Sequence, residues 1–327
     1  MSVCVGLWLN NKMNIKNKKA LVTGGAGFIG SHIVDALVSS GCKVTVLDDL
    51  STGRLSNLEH LKDNITFYKG DIRDRKALDT AVKDCEVIFH QAAVVSVPQT
   101  VEDPVGSAMV NEVGTLSLLE SARKNNVKRV VLASSCAVYG DDPQLPKRET
   151  MVSKPLSPYA VQKLTGEYYA RLYNDLYGLE TVCLRYFNVF GPRQDPTSPY
   201  SGVISIFMSK AVSKEAPVIY GDGKQYRDFV FVNDVISANL LAASVDEASG
   251  KILNIGTGKY VAIDRLWEMT CDLCSLNIKP EYKPPRPGDI VESVANINKA
   301  KTVLGFNPKY SFEEGLKITF DWYKGKK

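Results

Sequence analysis

Tyr159 and Lys163 stand four residues apart in "SPYAVQK", directly behind Ser157 and Pro158. Serine is a favoured helix N-cap and proline suits the first helical position, so the spacing predicts a helix opening here with phenol and ammonium on one face. An unperturbed phenol titrates near ~10. A helix N-terminus and a neighbouring ammonium both favour its anion, which would let Tyr159 take a hydroxyl proton near neutral pH. A core tyrosine beside a snorkelling lysine explains the same pair, and for an isolated Y-x-x-x-K it is the default reading. What overturns that default is "ASSCAVYG", which ends a β-branched run with Ser134 and Ser135. A parallel sheet opens its ligand crevice at such strand ends, so Ser135 can hydrogen-bond the oxygen that Tyr159 deprotonates.

The elements that would carry these groups alternate along the chain. "KALVTG", "KVTVLD", "ITFYKG", "EVIFHQA", "VKRVVLASS" and "ETVCLRYF" read as buried strands separated by helix-length amphipathic segments. That alternation predicts an α/β fold, a doubly wound parallel sheet of Rossmann type, with a smaller mixed α/β substrate domain. After Phe187 the pattern breaks into the Pro/Gly/Ser-rich loops "GPRQDPTSPYSG" and "KPEYKPPRPGD", while "DFVFVNDV" and "ILNIGTG" between them read as further buried strands. The chain is expected to leave the first domain, return, and leave again: residues 14–187 plus 228–257 form the dinucleotide-binding unit, 188–227 plus 258–327 the substrate unit, and 1–13 an extension.

"VTGGAGFIGSH" puts Gly24, Gly27 and Gly30 at the end of the first strand and the start of the first helix, with Phe28 and Ile29 between them. Such glycines allow a tight turn and a close approach of backbone to a diphosphate; taken alone, they equally suit a plain tight strand-to-helix turn. The second strand ends in Asp48, close to the ~20-residue separation expected of a carboxylate bonding a ribose. Together they predict a dinucleotide site, and a carboxylate there repels a ribose phosphate, favouring NAD over NADP. Asp49 either shares this role or faces solvent. An oxidised nicotinamide would add a third influence favouring the Tyr159 phenolate.

Bulk properties fit an ordinary soluble globular protein. The chain has 327 residues, 44% hydrophobic and 23% charged, with a net charge of +4. Its basic runs, "NIKNKK" and "KGKK", lie near the two ends with no interleaved aromatics between them, which argues against nucleic-acid binding. The opening "MSVCVGLWLNN" is too short for a membrane span and lacks the leading charge of a signal peptide, so Met1 to Lys12 read as an extension ahead of Met13. Seven scattered cysteines read as reduced core thiols of a cytoplasmic protein. Cys271 and Cys274 form a C-x-x-C inside a helical pattern without a second pair, so no metal site is expected.

Gly24/Gly27/Gly30, Asp48, "GDI" at Gly70 to Ile72, "SSCAVYG", Tyr159/Lys163, "RYFNVFGPRQ" and "RPGD" together resemble the extended short-chain dehydrogenase/reductase family, in its nucleotide-sugar epimerase and dehydratase branch. The resemblance spans nearly the whole chain from Lys18. It implies that Asp71 and Ile72 border the adenine, that Gln91, Ala92 and Ala93 line the cofactor, and that Tyr186 packs near the nicotinamide. It further implies that Asn188, Arg227 and Arg286 contact the substrate's diphosphate, with Asp289 on the ribose and Val218 and Tyr220 near the base; guanidinium suits that work because its donors bind phosphate as a fork. Members form dimers through two long helices, and the matching segments here are Gly106 to Asn125 and Pro158 to Tyr177.

Members of this branch begin alike: the tyrosine removes a sugar hydroxyl proton while hydride passes to NAD. A dehydratase then needs an Asp-Glu pair just after the catalytic hydroxyl residue, where this chain has Cys136 and Ala137. The expected reaction is therefore 4-epimerisation of a UDP-hexose through a 4-keto sugar. A uronate 4-epimerase or decarboxylase of the same branch is the alternative, and a non-catalytic NAD-binding module ranks below both because Ser135, Tyr159 and Lys163 are all present. Epimerases restricted to plain hexoses place a bulky aromatic a few residues after "GD", where this chain has Ser293. That small residue, together with "SVP" at Ser96 to Pro98 and the run "RQDPTSPYSGVI" containing Val203, resembles the subgroup acting on UDP-N-acetylglucosamine, with overlap on UDP-glucose.

Overall fold

The structure is a computed structural model that describes residues 15–196, 202–285 and 292–325. From the N-terminal side the chain runs through β1 (Lys19–Thr23), α1 (Phe28–Ser39), β2 (Lys43–Asp48), β3 (Ile65–Lys69), α2 (Arg75–Val82) and β4 (Val87–His90). It continues through α3 (Val97–Glu102), α4 (Pro104–Ala108), a π-helical turn (Met109–Gly114), α5 (Thr115–Lys124), β5 (Arg129–Ser135), α6 (Pro158–Tyr177) and β6 (Glu180–Tyr186). These strands and β11 (Lys251–Ile255) form one seven-stranded sheet in the order β11-β6-β5-β4-β1-β2-β3. Every pairing in it is parallel. The direction of winding reverses between β1 and β4, and the crevice of such a sheet lies at the carboxyl ends of those two strands.

Both faces of the sheet are covered, which is why its strands read as continuous apolar runs. Val22, Val46, Phe89, Val131 and Val182 pack into one core with α1 and α8 (Val232–Ser244). Their neighbours Leu21, Leu47, Ile88, Val130 and Cys183 point the other way, into a second core with α2, α5 and α6. Odd and even positions thus serve opposite layers, as a two-residue period requires.

The expected strand in "DFVFVNDV" is only half a strand. Phe229–Phe231 forms β10, which pairs with β7 (Asn188–Phe190) outside the main sheet, and α8 begins at Val232. An apolar β-branched run does not distinguish a strand from the first turn of a buried helix. Asp234 lies in the first turn of α8, where a carboxylate suits a helix N-terminus, and it accepts the backbone N–H groups of Lys309 and Tyr310 at 2.8 and 3.3 Å. The remaining elements are α7 (Val203–Ser213), β8 (Val218–Tyr220), β9 (Tyr226–Arg227), β12 (Val261–Ala262), α9 (Ile263–Cys274), β13 (Glu281–Lys283), β14 (Glu292–Ser293), α10 (Asn298–Leu304) and α11 (Phe312–Lys324). They carry small ladders, β12-β9-β14 and β13-β8. Asp228, with none of its surface exposed, ties these pieces to the main sheet by accepting from Thr257 N and Oγ1, Gly258 N and Ala295 N at 2.7 to 3.1 Å.

Cys271 and Cys274 both lie in α9, and among the described residues no cluster of His, Cys, Asp or Glu is placed to hold a metal. Among the described residues no helix is long and apolar enough to cross a membrane.

Candidate active site

The turn from β1 into α1 is as tight as its glycines imply. Gly24 has φ +67°, and a Cβ there would stand 2.6 Å from the backbone nitrogen of Ala92. A Cβ on Gly30 would come within 2.1 Å of the Gly24 carbonyl. The first turn of α1 contains no acidic residue and its N-cap, Gly27, has no side chain, so the amides there face outward with no internal anion. Asp48 closes the same corner: its carboxylate accepts from Ala26 N at 2.9 Å and Leu50 N at 2.8 Å. Burial raises its pKa, and the two backbone donors oppose that rise.

Above this turn lies a cavity of about 990 Å³. Gly24, Gly27, Phe28, Ile29 and Gly30 form its floor, Asp48, Asp49, Asp71 and Ile72 one end, and Gln91, Ala92, Ala93, Ser134, Ser135, Tyr159, Lys163 and Tyr186 the other. Every cofactor candidate drawn from the sequence therefore borders one cavity, and Ser96 borders it too. Asp71 is held by Arg73, whose Nε reaches its carboxylate at 2.9 and 3.0 Å, and these bonds lower its pKa. The Tyr186 hydroxyl donates to Asn239 Oδ1 at 3.0 Å and accepts from Gln91 Nε2 at 3.2 Å.

The reactive end is built by β5 and α6. Ser157 caps α6 by accepting from Ala160 N at 3.2 Å, and Pro158 occupies the first turn, as the sequence predicts. Lys163 donates to the carbonyl of Ala133 at 2.9 Å, which fixes the ammonium beneath the tyrosine. The Ser135 oxygen accepts from Ala137 N at 3.1 Å and lies close enough to the Tyr159 phenol to favour its anion. In the protein without cofactor burial pushes Tyr159 up to about 12, with Ser135 pulling against it, and burial lowers Lys163 to about 8. The positive charge of a bound oxidised nicotinamide would oppose the effect of burial on the phenol.

Ser134 differs from its neighbour. Its hydroxyl donates to Glu167 at 2.5 Å, and Glu167 is held in turn by Arg185 at 2.7 and 2.8 Å. Successive strand residues face opposite sides, so Ser135 meets the tyrosine while the Ser134 side chain enters a buried ion-pair network beneath the site.

The substrate candidates approach from the second set of ladders. Arg227 and Ser293 are register partners between β9 and β14. Ser293 is buried and lies beside Cys136, whose thiol is pushed up to about 11 by burial, with Ser293 and Arg227 acting in the other direction. They thus converge on the residue next to Ser135. Asn188 opens β7, Val203 opens α7, and Val218 and Tyr220 bound β8; none of these four borders the large cavity. Arg286 and Asp289 lie outside the described residues. Arg54, Arg193, Gln194 and Asp195 line the cavity without having been singled out, although "GPRQ" already stood inside a recognised motif.

Residues 20–256 match the "NAD dependent epimerase/dehydratase family". The chain belongs to that family. A relative, the putative UDP-glucose 4-epimerase of Methanocaldococcus jannaschii, is 44% identical over 307 residues, covering 93% of this chain and 98% of the relative. The UDP-N-acetylglucosamine 4-epimerase of Methanobrevibacter ruminantium, solved in complex with UDP-N-acetylmuramic acid, is 43% identical with a TM-score of 0.92, covering 95% of this chain and 100% of that one. The UDP-glucose 4-epimerase of Thermotoga maritima, solved with UDP-glucose, is 40% identical with a TM-score of 0.90, covering 94% and 99%. NAD is the family's cofactor, and the site fits it: side chains would fill the floor at Gly24 and Gly30, while the free α1 amides suit a diphosphate.

Proposed function

We propose that this NAD-dependent nucleotide-sugar 4-epimerase interconverts UDP-N-acetylglucosamine and UDP-N-acetylgalactosamine, with overlapping activity on UDP-glucose and UDP-galactose. The reaction class follows from the family and from its relatives across more than nine-tenths of the chain. The substrate rests on one observation: Ser293, small and buried, stands against Cys136 beside the catalytic serine. A small residue there leaves room for an N-acetyl group, and the M. ruminantium enzyme, acting by name on the acetylated sugar, is 43% identical. The gain from filling such a space is only ~1 to 3 kcal/mol, which is why activity on the plain sugar is expected alongside.

In this reading residues 14–187 plus 228–257 hold NAD, with Asp48 on the ribose and the glycine loop at the diphosphate. Residues 188–227 plus 258–327 hold the UDP-sugar, with Arg227 and Asn188 at its diphosphate. NAD, when bound, supplies the two-electron acceptor and a positive charge beside the phenol. Tyr159 takes the proton of the sugar's C4 hydroxyl, Ser135 bonds the same oxygen, and Lys163 keeps the phenolate favoured. The proton then returns from Tyr159 once the 4-keto sugar has presented its opposite face. Cys136 and Ala137 carry no acid or base for eliminating water, so nothing competes with that return.

Incubation with UDP-N-acetylglucosamine, UDP-glucose and UDP-glucuronate in separate reactions tests the substrate. The 4-epimer should form fastest from the acetylated sugar; turnover of the uronate alone, or release of carbon dioxide, would refute the assignment.

The protein is further proposed to be a homodimer. Val101, Val105, Val113, Tyr168, Leu172 and Leu176 leave an apolar face exposed on the helical segments 97–114 and α6. A second copy laid against that face would cover it. Leu172→Glu with Leu176→Glu should halve the mass measured by light scattering, and an unchanged mass would refute this interface.

A further inference from the structure

Two arginines on the walls of the dinucleotide cavity are held by carboxylates rather than left free, and one has a donor to spare. Arg193 follows β7 with φ 68°, a conformation costly for a residue with a side chain. Its Nη2 pairs with Asp35 of α1 at 2.8 Å. Asp35 also takes the His60 Nε2 at 2.7 Å, and His32 of the same helix meets the Pro192 carbonyl at 3.0 Å. The loop is thereby fixed against the helix whose N-terminus floors the cavity. Among the described residues, the buried Nη1 of Arg193 has no hydrogen-bond partner. A desolvated guanidinium donor without an acceptor is unfavourable, so its position is explained if a ligand supplies the acceptor.

Across the cavity, Arg54 is rooted on the glycine loop, its N–H donating to Ala26 O at 3.0 Å. Its side chain forms an ion pair with Asp195, two residues beyond Arg193. Arg54, Arg193 and Asp195 all border the same cavity. The pair therefore joins the two walls beside the α1 terminus, whose first turn has no acidic residue and no side-chain cap.

We propose that Arg193 donates from Nη1 to the diphosphate bridge of the dinucleotide, and that the Arg54–Asp195 pair is a strap that retains it. Two diphosphates visit this enzyme, the cofactor's and the nucleotide sugar's. The tethers decide between them: Asp35, His32 and Ala26 all belong to the glycine loop and the helix it opens, whereas Arg227 and Ser293 lie on separate ladders. For an epimerase, which restores its NAD in every turnover, a strap against cofactor loss is consistent with the chemistry. The inference rests on the dinucleotide reading of this cavity.

Calorimetry on NAD-free protein, with ADP-ribose and UDP as separate probes, tests it. Arg193→Met should weaken ADP-ribose at least ~10-fold and leave UDP within about twofold. Retained UDP binding also reports that the variant is folded, and Asp35 keeps His60 as a partner. Arg193→Lys, which keeps the charge but loses the fork, should recover part of the affinity and serves if the methionine variant does not fold. Arg54→Gln and Asp195→Asn should each speed NAD dissociation several-fold in a stopped-flow chase, and together do no more than either alone. Unchanged ADP-ribose binding in Arg193→Met, or a loss confined to UDP, would overturn the proposal. Failure of the unaltered protein to bind ADP-ribose would instead remove the dinucleotide reading itself.

Discussion

The Lys163 ammonium lies 5.8 Å from the centroid of the Tyr159 ring and is held by the Ala133 carbonyl at 2.9 Å. The backbone of β5 therefore sets the distance between base and cation, and the same strand carries Ser135. Strand and helix have to be locked together for the three groups to act at once. The Ser134–Glu167–Arg185 network does that from beneath, joining β5 to α6 and α6 to β6.

Replacing the phenol tests its role without disturbing the cofactor. Tyr159→Phe should keep bound NAD, seen by absorbance and mass after gel filtration, and lose at least ~100-fold in kcat. Near-normal turnover would remove Tyr159 from the chemistry.

The pH profile separates the lysine's effect from simple packing. Because the phenol must be ionised to accept a proton, kcat/KM should fall on the acid side of its pKa in the holoenzyme. In the protein without cofactor, burial against the opposing effect of Ser135 leaves that pKa at about 12, so the limb reports how far bound NAD brings it down. Lys163→Met removes a cation, raises the phenol pKa, and should move the acid limb upward by at least ~1 unit. A limb that stays in place would show that the ammonium does not act on Tyr159.

Acid should weaken the fold through a histidine that catalysis does not use. His90 contacts Thr23 Oγ1 at 2.7 Å through Nδ1 and Thr115 Oγ1 at 2.9 Å through Nε2. Thr115 itself donates to the Asn111 carbonyl at 2.6 Å, so its oxygen accepts from Nε2–H and the neutral tautomer is fixed. Burial, with Lys163 acting in the same direction, lowers the His90 pKa to about 3. With the folded value below the unfolded one, its contribution is complete above about 6.5 and is lost as pH falls from there toward about 3. At pH 5 the loss is about 2 kcal/mol. Urea unfolding at pH 7.5 and pH 5 should show that difference, and His90→Gln should flatten it; an equal slope in the variant would place the acid sensitivity elsewhere.

Size at position 293 should control which sugar is accepted. Ser293→Tyr is expected to cut kcat/KM for UDP-N-acetylglucosamine at least ~10-fold more than for UDP-glucose, a difference within the ~1 to 3 kcal/mol available to a small group. Equal losses on both sugars would detach Ser293 from selection.

Much of this was legible because the chemistry constrains the sequence locally. The glycine turn, Asp48 and the capped helix at Ser157 each combine a special backbone need with a few adjacent residues, and the structure places all of them around one cavity. Strand periodicity gave the main sheet for the same reason, but failed at Val232, where an apolar run passes from β10 into α8 without a break. The long helix read over 106–125 is α4, a π-helical turn and α5 in succession; its apolar spacing does not reveal the local underwinding. Ser134 was paired with Ser135 because both end the strand, yet its partner, Glu167, lies 33 residues away and only the packed structure brings them together. Arg54 and Asp195 are 141 residues apart, and nothing in either segment announces the other.

The central claim is that hydride leaves C4 of the sugar and returns to the same carbon inside one closed site. UDP-N-acetylglucosamine carrying deuterium at C4, converted in ordinary water and analysed by mass spectrometry and proton NMR, tests it directly. The account predicts a 4-epimer that keeps its deuterium at C4, with no label passing to solvent. Product whose C4 deuterium has been replaced by solvent hydrogen would contradict it.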